Sequence, residues 1–464
     1  MTSIKFPRNL RIFLMFPFVA SFWISQMPVI PGPQEILRSQ QEVRALPGGL
    51  DDVPVFNSNS PELVLQEGIL LSTFPKIGKQ FESAHLDRSF TGRFDIFAHH
   101  IAKGTPEDLR TLYLGIIAHN PSNTSVTIDI LQASSHLSQP DAPFVELPPF
   151  VENNTGSVYA GPGSRVGSEV LRGFRQNGFP AKITIEPNGY TLILNQDIPV
   201  RPLTPPINGR SALLRLRSSG PVYLASMGKF ALADEQGKER APNLEEWRSL
   251  LQTSNLSSPR DRTPTPIAQT KGSLIYGRVA GVAIGSRWQG ILSDRNSTTL
   301  AIPKAGSAIS YGISLLHRGS LGTGQNQTAK MERRYLDTAY EAHGNYGIEY
   351  NLVLPLENKS NELKTVQIAI ETPLKRDDTQ QGLRFFDPLP KNVFFRGTVR
   401  VRYADDRDRS QTQYFHLVQR RGQRGEPLVV LEMKPGEKRR VLVDLIYPAD
   451  ATPPQVLTVQ TNLR

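Results

Sequence analysis

Short apolar runs separated by Gly, Pro and Asn recur along this chain from about residue 61, and they restrict it to β-structure over most of its length. Thr111-Leu-Tyr-Leu-Gly-Ile-Ile-Ala reads as a strand, His119-Asn-Pro-Ser-Asn-Thr as a turn, and Ser125-Val-Thr-Ile-Asp-Ile-Leu as a second strand with strict alternation. The pattern continues through Ala181-Lys-Ile-Thr-Ile, Tyr190-Thr-Leu-Ile-Leu-Asn and Ser211-Ala-Leu-Leu-Arg-Leu-Arg, with Asn188-Gly189, Asn208-Gly209 and Ser219-Gly220 as turn signals. The abundance of Gly (36) and Pro (37) fits frequent turns rather than long helices.

The 464 residues correspond to two or three domains at ~100–200 residues each. Residues 31–60 read as an extended arm whose prolines forbid a helix and interrupt sheet ladders. Asn243-Leu-Glu-Glu-Trp-Arg-Ser-Leu-Leu-Gln predicts one short helix, capped by Asn243 with Glu246 three residues on. A polar, Pro-rich linker follows it. Beyond the linker the grammar repeats: Ile348 to Leu356, Glu357-Asn-Lys-Ser-Asn-Glu and Leu363 to Ile370 resemble the unit from Tyr113 to Leu131. The expected architecture is therefore mainly β. It comprises two β-sandwich-like antiparallel domains, residues 61–233 and 272–464, joined by the short helix and linker of 234–271.

Residues 1–30 differ from the rest. Lys5, Arg8 and Arg11 precede an apolar run from Ile12 that reaches about Ile30, the pattern of a signal peptide or, if uncleaved, an N-terminal membrane anchor. No later segment approaches the ~18 apolar residues of a spanning helix. The chain has no cysteine, which rules out disulfides, thiolate ligands and a cysteine nucleophile. Its net charge is +10, and +7 without the three N-terminal positives. That balance favours an anionic partner. Nucleic acid fits the sign but not the export signal, and no nucleic-acid motif accompanies the charge. These features predict a periplasmic, envelope or extracellular location.

The stretches Gln41-Glu-Val-Arg-Ala-Leu-Pro-Gly-Gly-Leu-Asp-Asp-Val-Pro-Val-Phe-Asn-Ser-Asn-Ser-Pro-Glu, Phe94-Asp-Ile-Phe-Ala-His-His, Tyr159-Ala-Gly-Pro-Gly-Ser-Arg-Val and Tyr447-Pro-Ala-Asp-Ala-Thr-Pro-Pro-Gln-Val-Leu-Thr carry a family resemblance. They resemble an uncharacterised cyanobacterial family of exported proteins, known only as a domain of unknown function. The resemblance covers nearly all of the chain after residue 30. It implies an exported or envelope protein and supplies no activity or catalytic residue.

Five of the eight histidines, His85, His99, His100, His119 and His136, fall in one region with Asp87, Asp95 and Asp141. Imidazole and carboxylate suit a divalent metal, and Asp95 and His99 share a face if residues 94–101 form a strand. No cofactor is expected; were a divalent metal bound, Asp95, His99 and His119 would be the candidate ligands. Gly161-Pro-Gly-Ser-Arg-Val-Gly misses the dinucleotide spacing by one and reads as a rigid β-turn. Asp405-Asp-Arg-Asp-Arg-Ser lacks the turn glycine and final glutamate of a calcium loop and reads as a solvated hairpin tip. There is no nucleophile elbow, zinc-protease helix or Walker loop. Arginines crowd the C-terminal part, and Arg400, Arg402, Arg420, Arg421 and Arg424 are the candidate anion-binding residues, as guanidinium forks suit carboxylates, sulfates and phosphates. The expected function is non-enzymatic binding of anionic polysaccharide or another envelope component. The alternative is a metal-assisted envelope hydrolase using the region from His85 to His136.

Overall fold

A computed structural model describes residues 32–38, 40–269 and 271–463. The signal or anchor assigned to residues 1–30 lies outside them. The chain is mainly β, with several sheets and, among the described residues, two α-helices.

The repeated grammar of the sequence corresponds to a repeated corner. In the first, Leu112–His119 passes through the Asn120 turn into Val126–Leu137. Asn120 is fully buried. Its amide nitrogen donates to the carbonyls of Thr124, Ile185 and Glu186 at 2.7, 3.0 and 3.1 Å, and its Oδ1 accepts from the Ser122 amide and hydroxyl. In the second, Glu349–Glu357 passes through Asn358 into Lys364–Glu371. Asn358, also fully buried, donates to the carbonyls of Glu362 and Met433 at 2.8 Å each, and its Oδ1 accepts from the Ser360 amide and hydroxyl. An Asn side chain that closes its own turn leaves one face of its amide free to hold a third segment, and here it does so twice.

The strands around each corner are ordered alike. One run is Lys182–Ile185, Val126–Leu137, Ile207–Phe230, Phe90–Lys103 and Pro54–Ser58, antiparallel until the last strand joins in parallel. The other is Pro427–Met433, Lys364–Glu371, Gln455–Thr461, Ala308–Ile313 and Gln41–Arg44, again closed by a parallel strand. Apolar residues of alternating register form a separate core cluster at each corner, around Ile116, Ile128 and Leu214 in the first and Leu354, Val366 and Val459 in the second.

Both parallel strands come from the 31–60 arm, so the arm departs from the expectation that its prolines break the ladders. Gln34–Arg38 pairs Leu383–Asp387, Gly49–Leu50 pairs Arg287–Ile291, and Pro47 falls between strands while Pro54 opens one. A proline between strands or at a strand's first residue removes no ladder bond. Strands on either side of residues 234–271 also pair directly, Ala280–Ile284 with Pro54–Ser58.

The expected short helix is present as Leu244–Thr253, with the Asn243–Glu246 capping box formed. Its Trp247 is fully buried against Gly115, where a Cβ would lie 2.5 Å from the indole. The second helix, Pro162–Leu171, corrects the β-turn expected at Gly161. Gly161 takes φ 90° and Pro162 starts the helix, where its missing N–H costs nothing. This helix wedges between Val126–Leu137 and Ile207–Phe230 on one side and Val393–Ala404 and Lys438–Ile446 on the other. The Asp450 carboxylate accepts from the Ser164 amide at 3.2 Å, so the positive helix end is already occupied.

Candidate functional site

Ser410–Arg420 leaves its sheet at a turn that carries Arg420, Arg421 and Arg424, all exposed. None of the three forms an ion pair with a described residue. The turn is fixed from below: the Phe386 amide donates to the Gly422 carbonyl at 2.8 Å, and the Arg420 amide donates to the Gln423 side chain at 2.7 Å. The Arg421 guanidinium lies 5.5 Å from the Phe386 ring and 5.8 Å from Phe394, and Arg424 lies 5.5 Å from Phe385. Aromatic faces hold guanidinium groups without neutralising them, so the charge stays available.

A groove of ≈ 350 Å³ opens beside this turn, lined by Tyr276, His343, Tyr346, Lys375, Phe394 and Arg421 among others, with no Asp or Glu in its lining. Lys375 Nζ donates to the Tyr276 hydroxyl at 3.2 Å, which itself donates to the His317 carbonyl at 2.5 Å. Gly319 makes room for this lysine, since a Cβ there would lie 1.9 Å from Lys375 Cε. Tyr346 is held through its hydroxyl to the Ala451 carbonyl at 2.9 Å. His343 bonds the Gly277 carbonyl, and desolvation lowers its pKa to about 4, so it is neutral at pH 7. A smaller recess of ≈ 90 Å³ shares Tyr276 and His343 and does carry Glu341.

Arg400 and Arg402 stand apart from this surface. They share a strand face, as their spacing implies, but both reach the same Asp444 Oδ2 at 3.0 Å. Asp444 is 1% exposed. Its other oxygen accepts from Asn351 at 2.7 Å, and Asn351 also donates to Glu349 at 2.7 Å. Glu349 in turn pairs with Arg215 at 2.7 Å and Arg287 at 3.3 Å. The five candidate arginines thus separate into an exposed set of three and a pair spent on a buried carboxylate.

A family model described as a protein of unknown function, DUF3370, matches residues 41–461. The chain belongs to the DUF3370 family. The matched span begins on Gln41–Arg44 and ends on Gln455–Thr461, two strands of the same sheet. No curated protein matches the chain. A crystal structure of the coconut allergen cocosin aligns over 86% of this chain and 86% of that one, at 10% identity and a TM-score of 0.11, which carries no argument about the fold.

In this DUF3370 chain the three candidate metal ligands do not converge. Asp95 is buried between Arg93 at 2.9 Å and Arg215 at 3.7 Å; burial raises its pKa against the pull of these arginines. His99 bonds the Ser211 hydroxyl at 2.8 Å from Nδ1, with Glu62 3.8 Å from Nε2. His119 lies in another sheet pairing, stacked on Tyr190 at 4.2 Å. Among the described residues no three His, Asp or Glu side chains are grouped to hold a metal ion. The groove was missed by sequence reasoning because its lining comes from segments up to ~180 residues apart along the chain. Only Arg421 carried a signal, as part of an arginine-rich run.

Proposed function

We propose that this is a non-enzymatic binding protein of the periplasm, envelope or cell exterior, and that its ligand is an anionic polysaccharide or another anionic envelope component. The observation that carries the reading is the turn with Arg420, Arg421 and Arg424: three exposed arginines paired with no described carboxylate, two of them, Arg421 and Arg424, held over aromatic rings. Each contact to a polyanion is modest, ~0.2–1 kcal/mol. Several made along one repeating chain add through effective concentration, and the interaction weakens as salt screens it. The fold suits a scaffold that presents such a surface. We read the two repeated strand orders as two related β-sandwich-like units, tied together by the arm, the Pro162–Leu171 wedge and the 234–271 segment.

The test is retention of the purified protein on immobilised acidic polysaccharides across a salt gradient. The reading expects retention at low salt, release at higher salt, and clear loss in a variant with Arg420→Ser, Arg421→Ser and Arg424→Ser that keeps its thermal stability. Equal retention of the variant would contradict it.

A further inference from the structure

We propose that the groove beside the arginine turn receives one ring of that polymer, an anionic pyranose whose carboxylate or sulfate sits between Lys375 and Arg421. The proposal rests on the polyanion reading and specifies the unit recognised. Three features of the groove point to it. Its ≈ 350 Å³ falls within the range of small-molecule pockets, ~300–1,000 Å³, and is too confined for a folded partner. Its walls include Tyr276, Tyr346 and Phe394, whose faces suit the apolar C–H side of a sugar ring. Neither of its two cations forms a close ion pair with a described carboxylate, Asp377 acting on Lys375 only through space, and both are already placed: Lys375 Nζ is 5.2 Å from the Tyr276 ring centre and Arg421 is 5.8 Å from that of Phe394. A bound anion would gain charge-assisted hydrogen bonds without having to displace an internal ion pair. His343 is held on the Gly277 carbonyl and adds no charge at pH 7.

Arg421 belongs to both surfaces, so the polymer would cross the turn at Arg420 and Arg424 and place one unit in the groove. The geometry therefore divides the labour. Arg420 and Arg424 serve the long chain, and Lys375 with Phe394 serves the single ring.

The test uses short probes that cannot reach across the turn. Binding of a glucuronic acid trisaccharide, a sulfated galactose trisaccharide and a neutral glucose trisaccharide is measured by calorimetry with four proteins: wild type, Lys375→Met, Gly319→Ala, and Arg420→Ser with Arg424→Ser. At least one anionic trisaccharide is expected to bind tenfold or more tightly than the neutral one, and the better of the two identifies the anion. That preference should fall about tenfold in Lys375→Met, fall also in Gly319→Ala, where the lysine is displaced, and persist in the arginine double variant. Circular dichroism confirms that each variant is folded. If neither anionic probe binds better than the neutral one while long polyanions are still retained, the groove proposal fails and the polyanion reading stands. If Lys375→Met is folded and binds as wild type, the groove proposal also fails. If no long polyanion is retained by the wild type, the underlying reading fails.

Discussion

The Asn120 and Asn358 corners are built from the same bonds, yet the two parts of the molecule use their remaining polar residues differently. Around the first corner, three histidines meet neutral groups, while His136 bonds Glu169 at 2.9 Å and Asp95 pairs with Arg93 and Arg215. His100 meets the Ser58 hydroxyl and the Pro61 carbonyl at 2.9 Å each, His99 meets Ser211, and His85 meets Ser72 at 2.8 Å. Around the second, charge dominates: Asp444 gathers Arg400 and Arg402, while Arg420, Arg421 and Arg424 remain free on the surface. A shared strand order thus sets where the corners lie but leaves each set of facing positions open to different chemistry. The surface we assign to binding belongs to the part with surplus positive charge.

Acid should break this comparison most strongly. Desolvation lowers His85 and His100 to about 4 and His99 to about 3, and in the second part His343 and His416 to about 4. A histidine with a depressed folded pKa stays neutral in the fold while the unfolded chain gains a proton. Stability is therefore intact above pH 6.5 and falls as pH drops toward 4, by about 1.4 kcal/mol per pH unit for each such group. Asp450, raised by burial to about 6, acts in the opposite sense between pH 6 and 3.8, as do Glu62 and Asp95, which burial also raises, but with His119, lowered by desolvation too, the histidines number six. Trp247 sits in the first part and Trp288 in the second, so single-tryptophan variants separate them. The Trp247 signal is expected to change at higher pH than that of Trp288. A thermal midpoint that stays flat from pH 6.5 to 4.5 would refute this account of the histidines.

Removing Asp444 comes next in size. Asp444→Ala strands two arginines beside a 1%-exposed site and is expected to cost about 3–5 kcal/mol in a denaturant titration. A loss below about 1 kcal/mol would mean that Arg400 and Arg402 are solvated rather than structural.

The corners themselves give a smaller and more symmetrical effect. Asn120→Ala and Asn358→Ala each untie the turn from a third segment and leave a buried carbonyl, that of Ile185 or Met433, and a turn amide a partner short, at about 2–4 kcal/mol. Asn120, which serves three carbonyls to the two served by Asn358, should cost somewhat more. Losses differing by more than a factor of about three would show that the corners are alike in form only.

Much of the strand pattern was legible from residues, because alternation and Asn or Gly turns are local signals. The capped helix at Asn243 was legible for the same reason. The Pro162–Leu171 helix was not, since Gly161-Pro162-Gly163 reads as a turn, although Val166, Val170 and Leu171 lie at the spacing of one helical face. Nor could the sequence say that the arm would supply the parallel strand of each of the two five-strand runs, because parallel pairing between Gln41 and Ala308 leaves no local trace. The split among the arginines was hidden by distance: Asp444 lies 44 residues after Arg400 and 42 after Arg402.

That split is the centre of the account, and one paired measurement tests it. Retention on an acidic polysaccharide column and thermal midpoint are recorded together for two variants, one with Arg400→Ser and Arg402→Ser, the other with Arg420→Ser, Arg421→Ser and Arg424→Ser. The first variant should lose stability, with whatever remains folded still retained. The second should keep its midpoint, since exposed substitutions cost under ~0.5 kcal/mol each, and lose retention. If the first stays stable and loses retention while the second binds normally, the roles are reversed and the account is wrong.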